Sequence, residues 1–150
     1  MRGDGITLCR RRVRLVEGAK GGGATKAILV AEDDSAARAL VKDALSEVPQ
    51  SVVTAVADGA MLLEMLATVH PDLIVLDVNM PGLSGLDVYR LVRERENGAM
   101  VPVLFVTAEE HTRARDLQGP FRWLTKPYEV DDLVRTAAEL LGVDPSEVVG

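Results

Sequence analysis

The sequence predicts an α/β fold: a five-stranded parallel sheet of strand order 2-1-3-4-5 with helices on both faces. Three observations predict it. From Ala27 onward, short apolar runs alternate with segments of helical periodicity, the pattern of consecutive βαβ units. Three of the runs, around Ile28, Ile74 and Val103, are apolar throughout, as strands buried on both faces must be. The other two suit sheet edges, since residues 51–57 are more polar and residues 121–124 are few and include Arg122.

Taken in order, strands are expected at 27–31, 51–57, 73–76, 101–106 and 121–124. In the first helix Ala37, Val41, Ala44, Leu45 and Val48 recur at helical spacing, with Asp34 or Ser35 available as N-cap. Leu62, Leu66 and Val69 repeat likewise in the second. Ser84 and Asp87 form a capping-box start for the third, whose Val88, Leu91 and Val92 face inward. The stretch 109–118 is polar and short, so its helix has the least support. The last helix carries Val130, Leu133, Ala137, Leu140 and Leu141, and Gly142 ends it.

Composition bounds the function. A chain of 150 residues, 47% apolar and 27% charged, has the profile of one globular domain. The net charge of −6 is unevenly spread: residues 1–26 carry about +5, with Arg10, Arg11, Arg12 and Arg14 clustered, and the remainder about −11. The division expected is a disordered basic arm at 1–26, a domain at 27–142 and a short tail at 143–150. The acidic body argues against nucleic-acid binding, and the tail is too short for a DNA-binding domain. Cys9 is the only cysteine, so an internal disulfide is excluded and a cytoplasmic location fits. No apolar run approaches the ~18 residues of a membrane span.

In an open parallel sheet, ligands bind beyond the carboxyl ends of the strands, where the strand order reverses. Glu32, Asp33 and Asp34 follow strand 1, Asp77 ends strand 3, Thr107 follows strand 4 and Lys126 follows strand 5. All should therefore meet at one mouth. Converging carboxylates repel and call for a cation, and oxygen donors without His or Cys select a hard ion such as Mg²⁺. With its charge screened, Asp77 can attack a phosphoryl group, which Lys126 and Thr107 can stabilise through its oxygens. Each residue alone has a plainer reading: Asp33 or Asp34 as a helix cap, Thr107 as a loop anchor, Lys126 as a surface cation. Their arrival together on successive strand ends favours a site.

Residues 28–34 (ILVAEDD), 73–85 (LIVLDVNMPGLSG), 105–108 (FVTA) and 124–128 (LTKPY) resemble the four motif blocks of response-regulator receiver domains in two-component signalling. The single-domain, chemotaxis-regulator type is the nearest in kind. The resemblance implies the flavodoxin-like (βα)5 receiver fold and a phosphoacceptor at Asp77. It implies a Mg²⁺ (or Mn²⁺) site made by Glu32, Asp33, Asp77 and the backbone carbonyl of Asn79, with Asp33 a direct ligand and Glu32 acting through water. It further implies phosphoryl contacts from Thr107 and Lys126, a switch pair Thr107 and Trp123, hydrolysis tuning at Asn79 and Glu109, and a cis bond before Pro127. The implied partners are a sensor histidine kinase or histidine phosphotransferase and an unknown downstream protein. The only catalysis expected is transfer to, and hydrolysis from, its own aspartate.

Two departures stand out. The acidic pair is Glu-Asp rather than Asp-Asp, and Lys126 follows Thr107 two residues sooner than is typical, so the fourth helix should be shortened or irregular. Rival readings are a non-phosphorylated interaction module on the same fold, a flavodoxin-like nucleotide or flavin binder, and a metal-dependent aspartyl phosphatase. The full set Asp33, Asp77, Thr107 and Lys126 speaks against the first. Three acids where a Gly-rich phosphate loop belongs speak against the second. The third would want Asp-x-Asp, and Asp77-Val78-Asn79 does not supply it.

Overall fold

A computed structural model describes residues 25–108, 117–144 and 146. Five parallel strands form one sheet in the order β2-β1-β3-β4-β5. They are β1 (Lys26–Ala31), β2 (Ser51–Val56), β3 (Leu73–Asp77), β4 (Val103–Thr107) and β5 (Phe121–Thr125). The helices described are α1 (Ser35–Leu45), α2 (Gly59–Met65), α3 (Gly85–Arg93) and α4 (Val130–Leu141), with a 3-10 turn at Glu96–Gly98. The expected strand order and edges are thus observed, as are the N-cap at Asp34, the Ser84–Asp87 capping box and the end of the last helix at Gly142.

Alternation along the strands divides the core in two. Ile28, Val30, Val75, Leu104 and Val106 face α1 and α4, where they meet Val41, Leu45, Leu133 and Ala137. Leu29, Ile74, Leu76, Val103 and Phe105 face α2 and α3, where they meet Leu62, Val88, Tyr89 and Val92. Every residue of β3 and β4 is buried, which is why those runs lack polar alternation.

Boundaries differ from expectation in five places. Lys26, assigned to the arm, opens β1: it pairs with Ser51 and its amide donates to the Gln50 carbonyl. Val48 and Val69 lie beyond their helices, which end at Leu45 and Met65 with Ser46 and Leu66 as C-caps, yet both still pack on the core. Ala57 falls outside β2, and β4 starts at Val103 because Pro102 has no amide to donate, although its carbonyl still accepts from Ile74. The arm up to residue 24, the fourth-helix stretch at 109–116 with Glu109, and most of the tail lie outside the described residues.

Candidate functional site

The acidic residues converge because β1 and β3 are neighbours in parallel register, Ala31 opposite Leu76. Glu32 follows the end of β1 and Asp77 is the last residue of β3, and both are buried. Asp33 beside them is exposed. One carboxylate oxygen from each of Glu32, Asp33 and Asp77 lies within 4.8 Å of the other two. Asp34 is turned to another task, its carboxylate accepting the Ala37 amide at 2.8 Å as the cap of α1.

Around this cluster the backbone is held firmly. The Asn79 amide donates to Asp77 Oδ1 at 3.0 Å, and the Asp34 amide donates to Glu32 Oε2 at 3.2 Å. At the start of α3 the Gly85 amide donates to the Val78 carbonyl at 2.9 Å. A Cβ on Gly85 would sit 2.5 Å from the Asp77 carbonyl oxygen, so only glycine lets the helix close on this turn.

Lys126 supplies the counter-charge. β5 runs alongside β4 with Thr107 opposite Thr125, and the Lys126 amide donates to the Thr107 carbonyl at 2.8 Å. The ammonium then stands 3.5 Å from Asp77 Oδ2 and 3.6 Å from Glu32 Oε1. The Lys126–Pro127 bond is cis, as expected. Thr107 is buried at the end of β4, on the face that carries Phe105.

The electrostatics follow from this crowding. Burial, and then a hydrogen bond shared with Asp77, push the Glu32 carboxyl up to about 7, against the Asp34 amide and Lys126, which favour its charged form. For Lys126, burial alone would lower the pKa, but the Asp77 and Glu32 carboxylates outweigh it and the value is raised. Burial also raises Tyr128, the half-buried residue after the cis proline.

Every sequence-predicted residue among those described stands at this mouth except Trp123. That ring stacks on Phe105, its cross-strand partner, with centroids 4.4 Å apart and planes at 20°. Arg38 was not anticipated. Its guanidinium reaches back from α1 to the carbonyls of Glu32 (2.9 Å) and Asp33 (3.4 Å) and fixes the acidic turn from behind. Its place one turn into the helix after the acids was the available signal.

The donor set fits a hard divalent ion: three carboxylates, no His or Cys, one of them buried and resisting ionisation beside another. No helix among the described residues is long and apolar enough to cross a membrane.

Comparison with known proteins gives a consistent answer. Among curated proteins, the chain is 38% identical over 117 residues to the response regulator MprA of Mycobacterium avium, covering 76% of this chain and 50% of that one. It is 34% identical over 110 residues to the DNA-binding transcriptional regulator NtrC of Escherichia coli, covering 71% of this chain and 23% of that one. The chain therefore spans half or less of the length of these relatives. Among solved structures it is similar to the Vibrio cholerae chemotaxis protein CheY4 (TM-score 0.71, 26% identity, 78% of this chain and 99% of that one). It is also similar to the receiver domain of the Pseudomonas aeruginosa sensor histidine kinase PA1611, solved with magnesium in its active-site cleft (TM-score 0.70, 29% identity, 79% and 99%). The family described as the response regulator receiver domain matches residues 28–138, and the same residues build the sheet and its acidic mouth. By this match the chain belongs to the response-regulator receiver domains of two-component systems.

Proposed function

We propose that Asp77 accepts a phosphoryl group from the phosphohistidine of a sensor kinase or histidine phosphotransferase, and that the acyl phosphate switches a protein-binding surface. The observation that carries this reading is the contact of Lys126 with a buried Asp77 in a cluster of three carboxylates. Asp77 Oδ2 attacks phosphorus, an O–P bond forms, and the P–N bond of the donor breaks with its electron pair left on the imidazole. Asp33, Glu32, Asp77 and the Asn79 carbonyl would hold Mg²⁺ (or Mn²⁺), with exposed Asp33 a direct ligand and buried Glu32 acting through water. When bound, such an ion neutralises charge on the phosphoryl oxygens and on the carboxylates that would otherwise repel them.

Lys126 answers the same charge from the other side with charge-assisted hydrogen bonds, and Thr107 contributes a neutral one. The Asn79 amide orients the nucleophile through Asp77 Oδ1, and positions 79 and 109 are the ones that tune hydrolysis. The chain is catalytic only toward its own aspartate. A single-domain cytoplasmic regulator that acts on a protein partner is the form this reading takes.

The test is direct. Incubation with Mg²⁺ and a small acyl phosphate should add one phosphoryl mass to the wild type and none to Asp77→Ala. Equal labelling of the two proteins refutes the assignment.

A further inference from the structure

The guanidinium of Arg93, the last residue of α3, binds four backbone carbonyls that belong to two separate stretches of chain. Nη1 donates to Gly98 (3.0 Å) and Val101 (2.5 Å), on the approach to β4. Nε donates to Gln118 (3.1 Å) and Nη2 to Pro120 (2.7 Å), on the approach to β5. The Tyr89 hydroxyl, one turn back on α3, donates to the same Gln118 carbonyl, and the guanidinium carbon lies 4.4 Å from the centre of the Tyr89 ring. Gly119 completes the fit. Its φ is +94°, and a Cβ there would come within 2.5 Å of Arg93 Nε.

The Pro120 carbonyl has a second role. It also accepts the Val103 amide at 3.2 Å and so makes the first rung between the two last strands. From that rung the register runs from Val103 opposite Phe121, through Phe105 opposite Trp123, to Thr107 opposite Thr125, and the next residue is Lys126. Strand register has no intermediate settings, since a slip of one residue turns every side chain to the other face. Whatever pins the first rung therefore places both the Trp123 ring and the Lys126 ammonium. β5 needs such a pin because it is an edge strand, bonded to the sheet only through β4.

We propose that Arg93 is the positioning residue for β5, a clasp that sets Trp123 on Phe105 and delivers Lys126 to Asp77 without touching either. A planar fork with five donors can span two chain segments, and an ammonium cannot reproduce that geometry. The consequence for Lys126 rests on the phosphoacceptor reading above, whereas the consequence for Trp123 does not.

The experiment compares wild type with Arg93→Met and Arg93→Lys by three measurements on the full chain. Acrylamide quenching of the single tryptophan should increase in both variants, with emission at longer wavelength, and the retained charge of Arg93→Lys should not rescue it. Labelling by a small acyl phosphate should slow by about tenfold to a hundredfold, since misplacing a reacting group by ~1 Å costs up to about 10²-fold. Mg²⁺ affinity by calorimetry should not fall, because the acids stand at the ends of β1 and β3 and a displaced Lys126 only removes a cation that competes for Asp77 and Glu32. Gly119→Ala, which drives a Cβ against the clasp from the loop side, should give the same pattern and replaces the Arg93 variants should they not fold. Wild-type quenching in the variants overturns the proposal. So does a parallel loss of Mg²⁺ affinity, which would make Arg93 a general support of the fold. A wild-type protein that takes no label refutes the phosphoacceptor reading instead, and the quenching comparison alone then decides the role of Arg93.

Discussion

The Lys126 ammonium lies 3.5 Å from Asp77 Oδ2 and 3.6 Å from Glu32 Oε1, bridging the ends of two strands from a third. One cation thus serves two buried carboxylates, and burial together with the hydrogen bond to Asp77 pushes the Glu32 carboxyl up to about 7.

That shift makes stability depend on pH. Because the folded-state value lies above the ordinary 4.5, the folded protein keeps a proton that the unfolded chain releases. The contribution is full below pH 4.5 and is lost as pH rises through about 7. In chelator, the thermal midpoint should fall across that window by the equivalent of up to about 3 kcal/mol. Glu32→Gln should flatten the slope, and Mg²⁺ should restore stability on the alkaline side by binding the ionised form. An unchanged slope in Glu32→Gln would place the titrating group elsewhere.

Asp33 and Asp34 are adjacent but differently employed. Asp33→Asn should weaken Mg²⁺ binding far more than Asp34→Asn in titration calorimetry. Asp34→Ala should cost about 1 kcal/mol of stability through loss of the α1 cap, while Asp34→Asn retains the cap and costs little. The reverse order of Mg²⁺ affinities would shift the metal site by one residue.

Gly85 allows α3 to press on the turn that carries Asp77. Gly85→Ala puts a Cβ 2.5 Å from the Asp77 carbonyl oxygen and 2.8 Å from the Val78 Cα, with backbone on both sides and no flexible atom to yield. Denaturant unfolding should show a loss of about 1–3 kcal/mol. Labelling of Asp77 should slow as well, since the turn itself must move.

Trp123 offers a spectroscopic test of the proposed switch. Thr107 lies two residues beyond Phe105 on the same strand face, and Phe105 stacks on Trp123. Motion of Thr107 toward a phosphoryl group should shift the tryptophan emission to shorter wavelength. Mg²⁺ with beryllofluoride should therefore change the spectrum more than Mg²⁺ alone. Thr107→Ala should still be loaded yet lose the spectral response, and a full response in that variant would confine Trp123 to packing.

The sequence by itself determined the sheet and its mouth. Three wholly apolar runs could only be central strands, and chemistry-bearing residues just past them could only meet at one edge, because parallel strands end together. Side-chain periodicity sets that much and no more. Nothing local distinguishes Glu32, buried and protonatable, from Asp33, open to solvent one residue later. The difference arises from burial and from Asp77, which β3 brings alongside Glu32. Helix ends at Leu45 and Met65 were likewise invisible to a pattern that continues through Val48 and Val69, since both valines remain in the core after the helix stops. Arg93 shows the limit most plainly: in sequence it is one more charge on an amphipathic helix. Only tertiary structure supplies the four carbonyls, from two separate approaches to the sheet, that give its guanidinium a purpose.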